Sequence, residues 1–438
     1  MTSGSIVRHL LVFAVPLLIG NVFQQLYNTV DSVVVGNYVG KEALAAVGGV
    51  APIINMLIGF FTGLSAGAGV VISQHYGAHN DERVRDAVHT TVALTLVLCV
   101  VLTAVGILMV PAMLRMMQTP SDVEGRAAEY LRIYFAGLTG LLLYNMGSGI
   151  LRAVGDSRRP LYFLIFSALT NTVLDLLFVA KLRMGIAGAA IATIAAQAMS
   201  AILVMVVLCR SSGSYRLDWR RIRFHRMTLR RICSIGLPSA VQQAITSFSN
   251  VFVQSYVNRF GSSCMAGWTS YQKIDAFALL PMMSIAMAAT TFVGQNLGAG
   301  DRKRAKQGTY TAFALAFGIT AVILIPLMLL APQLISLFNR NGEVLSYGTL
   351  FIRVMSPFYL LCVVNQIFAG SLRGAGETRV PMFIMLGSFV VFRQIYLFVT
   401  YKLIGTILPV ALGYPIGWVL CSILIYFYYR KGNWEKHL

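Results

Sequence analysis

Twelve stretches of this chain stay apolar for twenty residues or more, at approximately 10–38, 44–72, 87–111, 126–150, 159–180, 186–209, 232–258, 266–294, 308–331, 347–371, 380–403 and 407–429. A helix needs a run of about 20 such residues to cross the hydrocarbon core of a bilayer. In lipid every backbone polar group must find its partner inside the protein, which leaves helices and closed barrels. The runs are continuous, without the ten-residue alternation of a barrel strand. Composition agrees: 57% of the 438 residues are hydrophobic and 12% charged, against roughly half and a quarter in soluble domains. The expected fold is therefore an all-α membrane protein of twelve transmembrane helices, several long enough to tilt or kink. The first run is too long for the apolar core of a signal peptide and lacks an A-x-A-like cleavage site.

The formal net charge of +19 invites a nucleic-acid reading, but the basic residues sit in short gaps between the spans. With the N-terminus on side one, 23 Lys and Arg fall on that side and eight on the other, among them Lys41. That asymmetry places both termini in the cytoplasm. The longest polar stretch, 209–231, carries eight arginines from Arg210 onward and reads as a cytoplasmic linker compatible with anionic headgroups. It divides the chain into an N-terminal lobe at 1–209, a linker at 210–231 and a C-terminal lobe at 232–438. The six cysteines form no CxxC and pair with no nearby histidine, so neither a disulfide framework nor a metal site is expected. His75, His79 and His89 follow span two and read as a solvated loop. Trp268, near the outer start of span eight, reads as an interface anchor.

A shift of 221 residues superimposes one half of the chain on the other. Gln74-His-Tyr-Gly-Ala78 falls on Gln295-Asn-Leu-Gly-Ala299, and Arg83 on Arg304. Leu151-Arg-Ala-Val-Gly-Asp-Ser-Arg-Arg-Pro160 falls on Leu372-Arg-Gly-Ala-Gly-Glu-Thr-Arg-Val-Pro381 without a gap. Six spans per half is an even number, so both halves enter from the same side, as a parallel repeat about an axis along the membrane normal. The expected plan is two pseudo-symmetric six-helix lobes around a central cavity. In the repeated loop, Arg152 and Arg373 suit helix-end carbonyls, Gly155 and Gly376 suit a turn, and Pro160 and Pro381 suit the first turn of the next helix.

Ionisable groups inside spans are expensive and mark functional sites by default. Gln24, Asn28 and Asp31 recur at helical spacing on span one, and Asn171 and Asp175 lie four apart on span five, so each set shares a helix face. At 1.5 Å per residue, Asp31 lies roughly 10–15 Å inside the outer end of its span and Asp175 about 9 Å inside its own, with Thr193 at a similar depth on span six. Three polar positions at one depth can converge on one pocket. Two carboxylates in a low dielectric resist ionising together, and a proton or Na+ relieves that repulsion. In the second half, Lys273 and Asp275 are two apart on a helix and do not share a face. Arg353 and Arg393 need partners, Asp275 being a candidate, while Arg132 can snorkel to the headgroups. Gln24, Asn28, Gln242, Lys273, Asp275 and Arg393 are the candidate substrate-cavity residues. The basic groups among them argue against an exclusively cationic ligand.

Over essentially its whole length the chain resembles the multidrug and toxic compound extrusion (MATE) transporters, most closely their DinF-like bacterial branch. The likeness rests on P-L-x-x-G-N…Q-x-x-Y-N-x-x-D from Pro16 to Asp31, the two Q-x-x-G-A loops, and both L-R-x-x-G-[DE] loops. It implies export of organic cations or amphiphilic drugs across the bacterial plasma membrane, driven by inward H+ or Na+, with no cofactor. It also implies a cation site in the N-terminal lobe, matched here by Asp31, Asn171, Asp175 and Thr193. Span seven carries Gln242, Gln243 and Gln254 where another branch has an acid, which argues against an ion site in the C-terminal lobe. A monomer is expected, since one chain already supplies two lobes. A flippase for lipid-linked precursors is the alternative within the superfamily. HExxH and GxxxxGK are absent, which argues against the zinc-hydrolase and ATP-driven readings.

Overall fold

The computed structural model describes residues 1–39, 41–116, 121–432 and 434. Lys436 and the side chain of Lys41, both counted in the charge asymmetry, lie outside the described residues. No strand occurs among them. The helices are α1 (Ile6–Tyr38), α2 (Lys41–Gly77), α3 (Asp81–Met116), α4 (Ser121–Ala136), α5 (Leu138–Ala153), α6 (Arg158–Asp175) and α7 (Gly185–Arg210), then α8 (Arg226–Asn258), α9 (Ser262–Gly298), α10 (Arg302–Leu329), the short α11 (Ala331–Ser336), α12 (Gly342–Met355), α13 (Tyr359–Gly374), α14 (Arg379–Leu386), α15 (Arg393–Ile404) and α16 (Ile407–Lys431).

Ten spans among the described residues are long and apolar enough to cross a bilayer. The other two of the expected twelve have local reasons to differ. The fourth span breaks at Gly137 into α4 and α5, sixteen residues each. The seventh, α8, is 33 residues long but interrupted by Gln, Ser, Thr and Asn. The repeat places Gly137 on Phe358, and there a 3-10 turn at Ser356–Phe358 separates α12 from α13. Spans five and eleven each contain six residues of π-helix, Leu176–Lys181 after α6 and Gly387–Phe392 before α15. Side chains such as Leu108 (79% exposed) and Leu403 (77% exposed) form the apolar outer faces that lipid requires.

The described residues form two compact units, Ile19–Gly236 and Met1–Leu18 with Leu237–Leu438. These differ from the lobes drawn on the sequence in two places. The first residues of α1 belong with the second half, because Leu10, Phe13, Ala14 and Leu17 bury themselves among Met282, Ile285, Phe292 and Ile367. The linker and the start of α8 belong with the first half. Both crossovers lie within two residues of a proline, Pro16 or Pro238, through which the helices nevertheless continue.

The basic linker is a folded strap. Leu217 is buried, and its amide donates to Leu208 O at 3.0 Å. The Asp218 amide donates to His89 Nε2 at 3.1 Å, the His225 amide to Thr90 Oγ1 at 3.2 Å, and Arg231 Nη2 to Gln74 Oε1 at 2.6 Å. His89, expected in a solvated loop, is 2% exposed. Its other ring nitrogen lies 2.7 Å from Arg85 O, so the network assigns the neutral Nδ1–H tautomer. Backbone amides leaving a helix need acceptors, and α3 supplies two. His89→Ala is expected to release the strap: losing about 1.4 kcal/mol of buried hydrogen bonding raises opening, and hence trypsin cleavage within 216–223, about tenfold. Limited proteolysis of the purified protein checks this, and an unchanged rate refutes it.

Trp268 is a second correction. It is 2% exposed and packs on Phe351, Tyr271 and Tyr414 with ring centroids 5.0, 5.3 and 5.8 Å away. Its place near a loop suggested the interface, but the aromatic cluster of the second unit encloses it.

Candidate functional site

Within the unit Ile19–Gly236, α1, α4, α6 and α7 bring polar side chains to one place. Asn171 and Asp175 occupy the same face of α6 because they are four residues apart. Asp175 is its last α-helical residue, and the π segment begins immediately after it. Such insertions frequently occur at functional sites, since one extra residue re-aims the side chains beyond it.

Asp175 is 0% exposed, and Asn171 and Thr193 are buried. The carboxyl groups of Asp31 and Asp175 lie within hydrogen-bonding reach of each other. The Asn171 carboxamide joins α6 to α7. With its nitrogen toward Asp175 Oδ2 (2.7 Å) and its oxygen toward the Thr193 amide (3.1 Å), both ends are satisfied. The reverse orientation leaves only a 3.4 Å contact with Thr193 Oγ1. Thr193 Oγ1 donates to Ala189 O at 3.0 Å, which holds its lone pairs toward the cluster. Asp31 Oδ1 and Asp175 Oδ1 are buried without a hydrogen-bond partner among the described residues. A buried carboxylate oxygen without a donor is costly, and a proton or a small cation between the two would relieve both. The oxygens of Asp31, Asp175, Asn171 and Thr193 are the hard donors that suit such an ion.

Four residues that sequence reasoning missed complete the cluster. Tyr27 interacts with Thr193, Asp31 and Asp175, Tyr130 lies near Asp31 and Tyr27, and Tyr134 bonds Gln197. Tyr27 and Gln197 each stand four residues from a predicted site residue, a signal present in the sequence. Tyr130 and Tyr134 stack at 6.3 Å on α4, and no sequence spacing ties them to Asp31.

The candidate cavity residues do not all meet. Gln24 and Asn28 are exposed on α1. In the second unit, Gln242 Nε2 donates to Met385 Sδ at 2.8 Å. Lys273 is exposed, 5.5 Å above the ring of Phe338. Asp275 accepts from Tyr271 (3.1 Å) and from Tyr359, so its partners are hydroxyls where the sequence suggested arginines. Arg353 and Arg132 are exposed. Arg393 lies elsewhere in the unit, bonded to Ser249 and Asn250.

The repeated loops are helix stops. Gly155 and Gly376 have φ of +96° and +89°, the left-handed region that glycine enters without cost. Helix-end carbonyls assigned to Arg152 and Arg373 on sequence are taken by backbone amides. Asp156 N donates to Leu151 O at 2.9 Å, and Glu377 N to Leu372 O at 2.9 Å. The acid of each motif caps the next helix, Asp156 Oδ1 accepting from the Arg158 and Arg159 amides and Glu377 Oε1 from Val380.

The MatE family pattern matches residues 16–177 and again 238–399, one copy in each half. The chain is 30% identical to the probable multidrug resistance protein YoeA of Bacillus subtilis, covering 99% of this chain and 96% of that protein. It is 26% identical to the probable multidrug resistance protein NorM of Thermotoga maritima, covering 98% and 93%. An outward-facing multidrug resistance MATE transporter of the MOP superfamily superimposes with a TM-score of 0.90 at 26% identity, covering 98% of this chain and 96% of that one. With a duplicated family match and a full-length relative, the chain belongs to the MatE family, the multidrug and toxic compound extrusion transporters.

Proposed function

We propose that this protein is a cation-coupled antiporter that exports amphiphilic, largely cationic small molecules from a bacterial cell, working by alternating access. The observation that carries the reading is the Asp31–Asp175 pair, buried in one unit beside Asn171 and Thr193, with two carboxylate oxygens that have no partner among the described residues. Loading H+ or Na+ on one side of the membrane and unloading it on the other changes the charge of that cluster. A conformational equilibrium that feels the charge is then biased by the ion. The family and the names carried by the relatives YoeA and NorM supply the drug-export half. The acid cluster in the first half supports the DinF-like branch over one with its ion site in the second half. The charge asymmetry of 23 against eight supports a multi-pass chain in the plasma membrane with both termini on the cytoplasmic side.

Reconstituted protein is expected to move a fluorescent organic cation when a pH gradient or a Na+ gradient is imposed separately. A response to one of them identifies the coupling ion. A response to neither refutes coupled antiport.

A further inference from the structure

Among the described residues, Arg393 is a buried guanidinium without a carboxylate. It is 2% exposed. Nη2 donates to Ser249 Oγ at 2.8 Å and Asn250 Oδ1 at 3.0 Å, and the group lies 4.5 Å above the ring of Tyr414. All of these partners are neutral. No acid lies within ion-pairing distance of it among the described residues. Its Nε–H is buried and has no hydrogen-bond partner there. A guanidinium keeps its proton, and buried charges are ordinarily paired.

The repeat sharpens the anomaly. At the 221 offset, Ser249 stands where the first half has Asn28, and Tyr414 where it has Thr193. The π segment Gly387–Phe392 precedes Arg393, whereas in the first half it follows Asp175. One extra residue per π turn moves the register by one, so Arg393 takes the place of Asn171. The helix positions that hold the neutral Asn28, Asn171 and Thr193 in the first half therefore hold Ser249, the cation Arg393 and Tyr414 in the second, where Phe252 stands in place of Asp31. Asn250 is exposed and Tyr414 partly exposed, so the edge of the Arg393 site is open to a ligand.

We infer that Arg393, with Asn250 and Tyr414, receives an anionic group, a carboxylate or phosphate, of the transported molecule. The favoured substrates then carry a negative group beside their apolar or cationic body. This deepens the export reading and rests on it. A lipid headgroup could supply the same chemistry.

The test is equilibrium binding to the purified full-length protein, read by fluorescence anisotropy with no gradient, so that its outcome is separate from the coupling experiment. The probes are rhodamine 123, a cationic methyl ester, and rhodamine 110, the corresponding free acid. Wild type is expected to bind the acid at least as tightly as the ester. Arg393→Gln is expected to weaken the acid roughly 10- to 100-fold, the range of a lost charge-assisted hydrogen bond, and to leave the ester within about twofold. Arg393→Lys, which keeps the charge and the fold but loses the fork, falls between them. Displacement of the acid by phosphatidylglycerol micelles assigns the anion site to a lipid headgroup, and resistance assigns it to the soluble substrate. Failure of wild type to bind the acid, or equal weakening of both dyes by Arg393→Gln, overturns the inference.

Discussion

Asp175→Asn is expected to yield a folded transporter that no longer answers to a cation gradient. Asparagine has the size of aspartate and can keep the contact with Asn171, which lies 2.7 Å from Asp175 Oδ2. It removes one of two close carboxylates, so no repulsion remains for an ion to relieve. Coupling free energies between sites are typically 1–3 kcal/mol, so gradient-driven accumulation in inverted vesicles should fall roughly 5- to 150-fold. The melting temperature should hold. Asp31→Asn should act in the same direction. Because the two side chains touch, the double variant should lose little more than either single one. Wild-type accumulation by Asp175→Asn would remove the pair from the coupling mechanism, and losses that simply add would separate the two residues.

The second large effect is on folding. Gly67 on α2 faces Gly236 on α8, where a Cβ would run into Gly236 Cα and N and come within 3.0 Å of Ile232 O. The obstacle is backbone, so no side chain can turn aside. Small residues let helices approach closely in membranes, and α2 and α8 use that here. Gly67→Val should cost about 3 kcal/mol, the top of the overpacking range, and lower the melting temperature by roughly 6–10 °C. Gly125→Ala is the internal control: among the described residues nothing lies within 4 Å of its Cβ position, and alanine favours helix by about 1 kcal/mol. It should melt at or slightly above the wild-type temperature. Fluorescence-detected gel filtration after heating reads both variants. Equal melting of Gly67→Val and wild type would mean that the helices separate there at no cost.

How much of the site is visible in the sequence depends on chemistry that is anomalous in its surroundings. Asp31 and Asp175 stand out because an acid in an apolar run has no cheap explanation. Their common depth comes from the rise of a helix, as does that of Thr193, and Asn171 comes from its spacing of four from Asp175. Tyr130 and Tyr134 do not stand out, because aromatics are ordinary in lipid-facing helices. Trp268 and His89 mislead for one reason: nearness to a loop in sequence suggests exposure, whereas packing from α12 and α16 buries the tryptophan and the strap covers the histidine. Arg152 and Arg373 are not needed for the carbonyls expected of them, which the glycine turns already satisfy through the backbone.

Hydropathy and the 221-residue repeat by themselves determined the membrane class, the twelve spans and the duplicated plan, because lipid admits few backbone solutions. They also determined which buried groups needed an explanation. Only the tertiary structure decided which of those groups meet: Asp31 with Asp175, Asp275 with two tyrosines, and Arg393 with partners that are all neutral among the described residues. It also decided that α1 and α8 each divide between the two units. The physical reason is that spacing sets the face and depth of a side chain on its own helix. The neighbour opposite depends on helix packing, on close glycine contacts, and on two π insertions that shift register by one residue, none of which local sequence encodes.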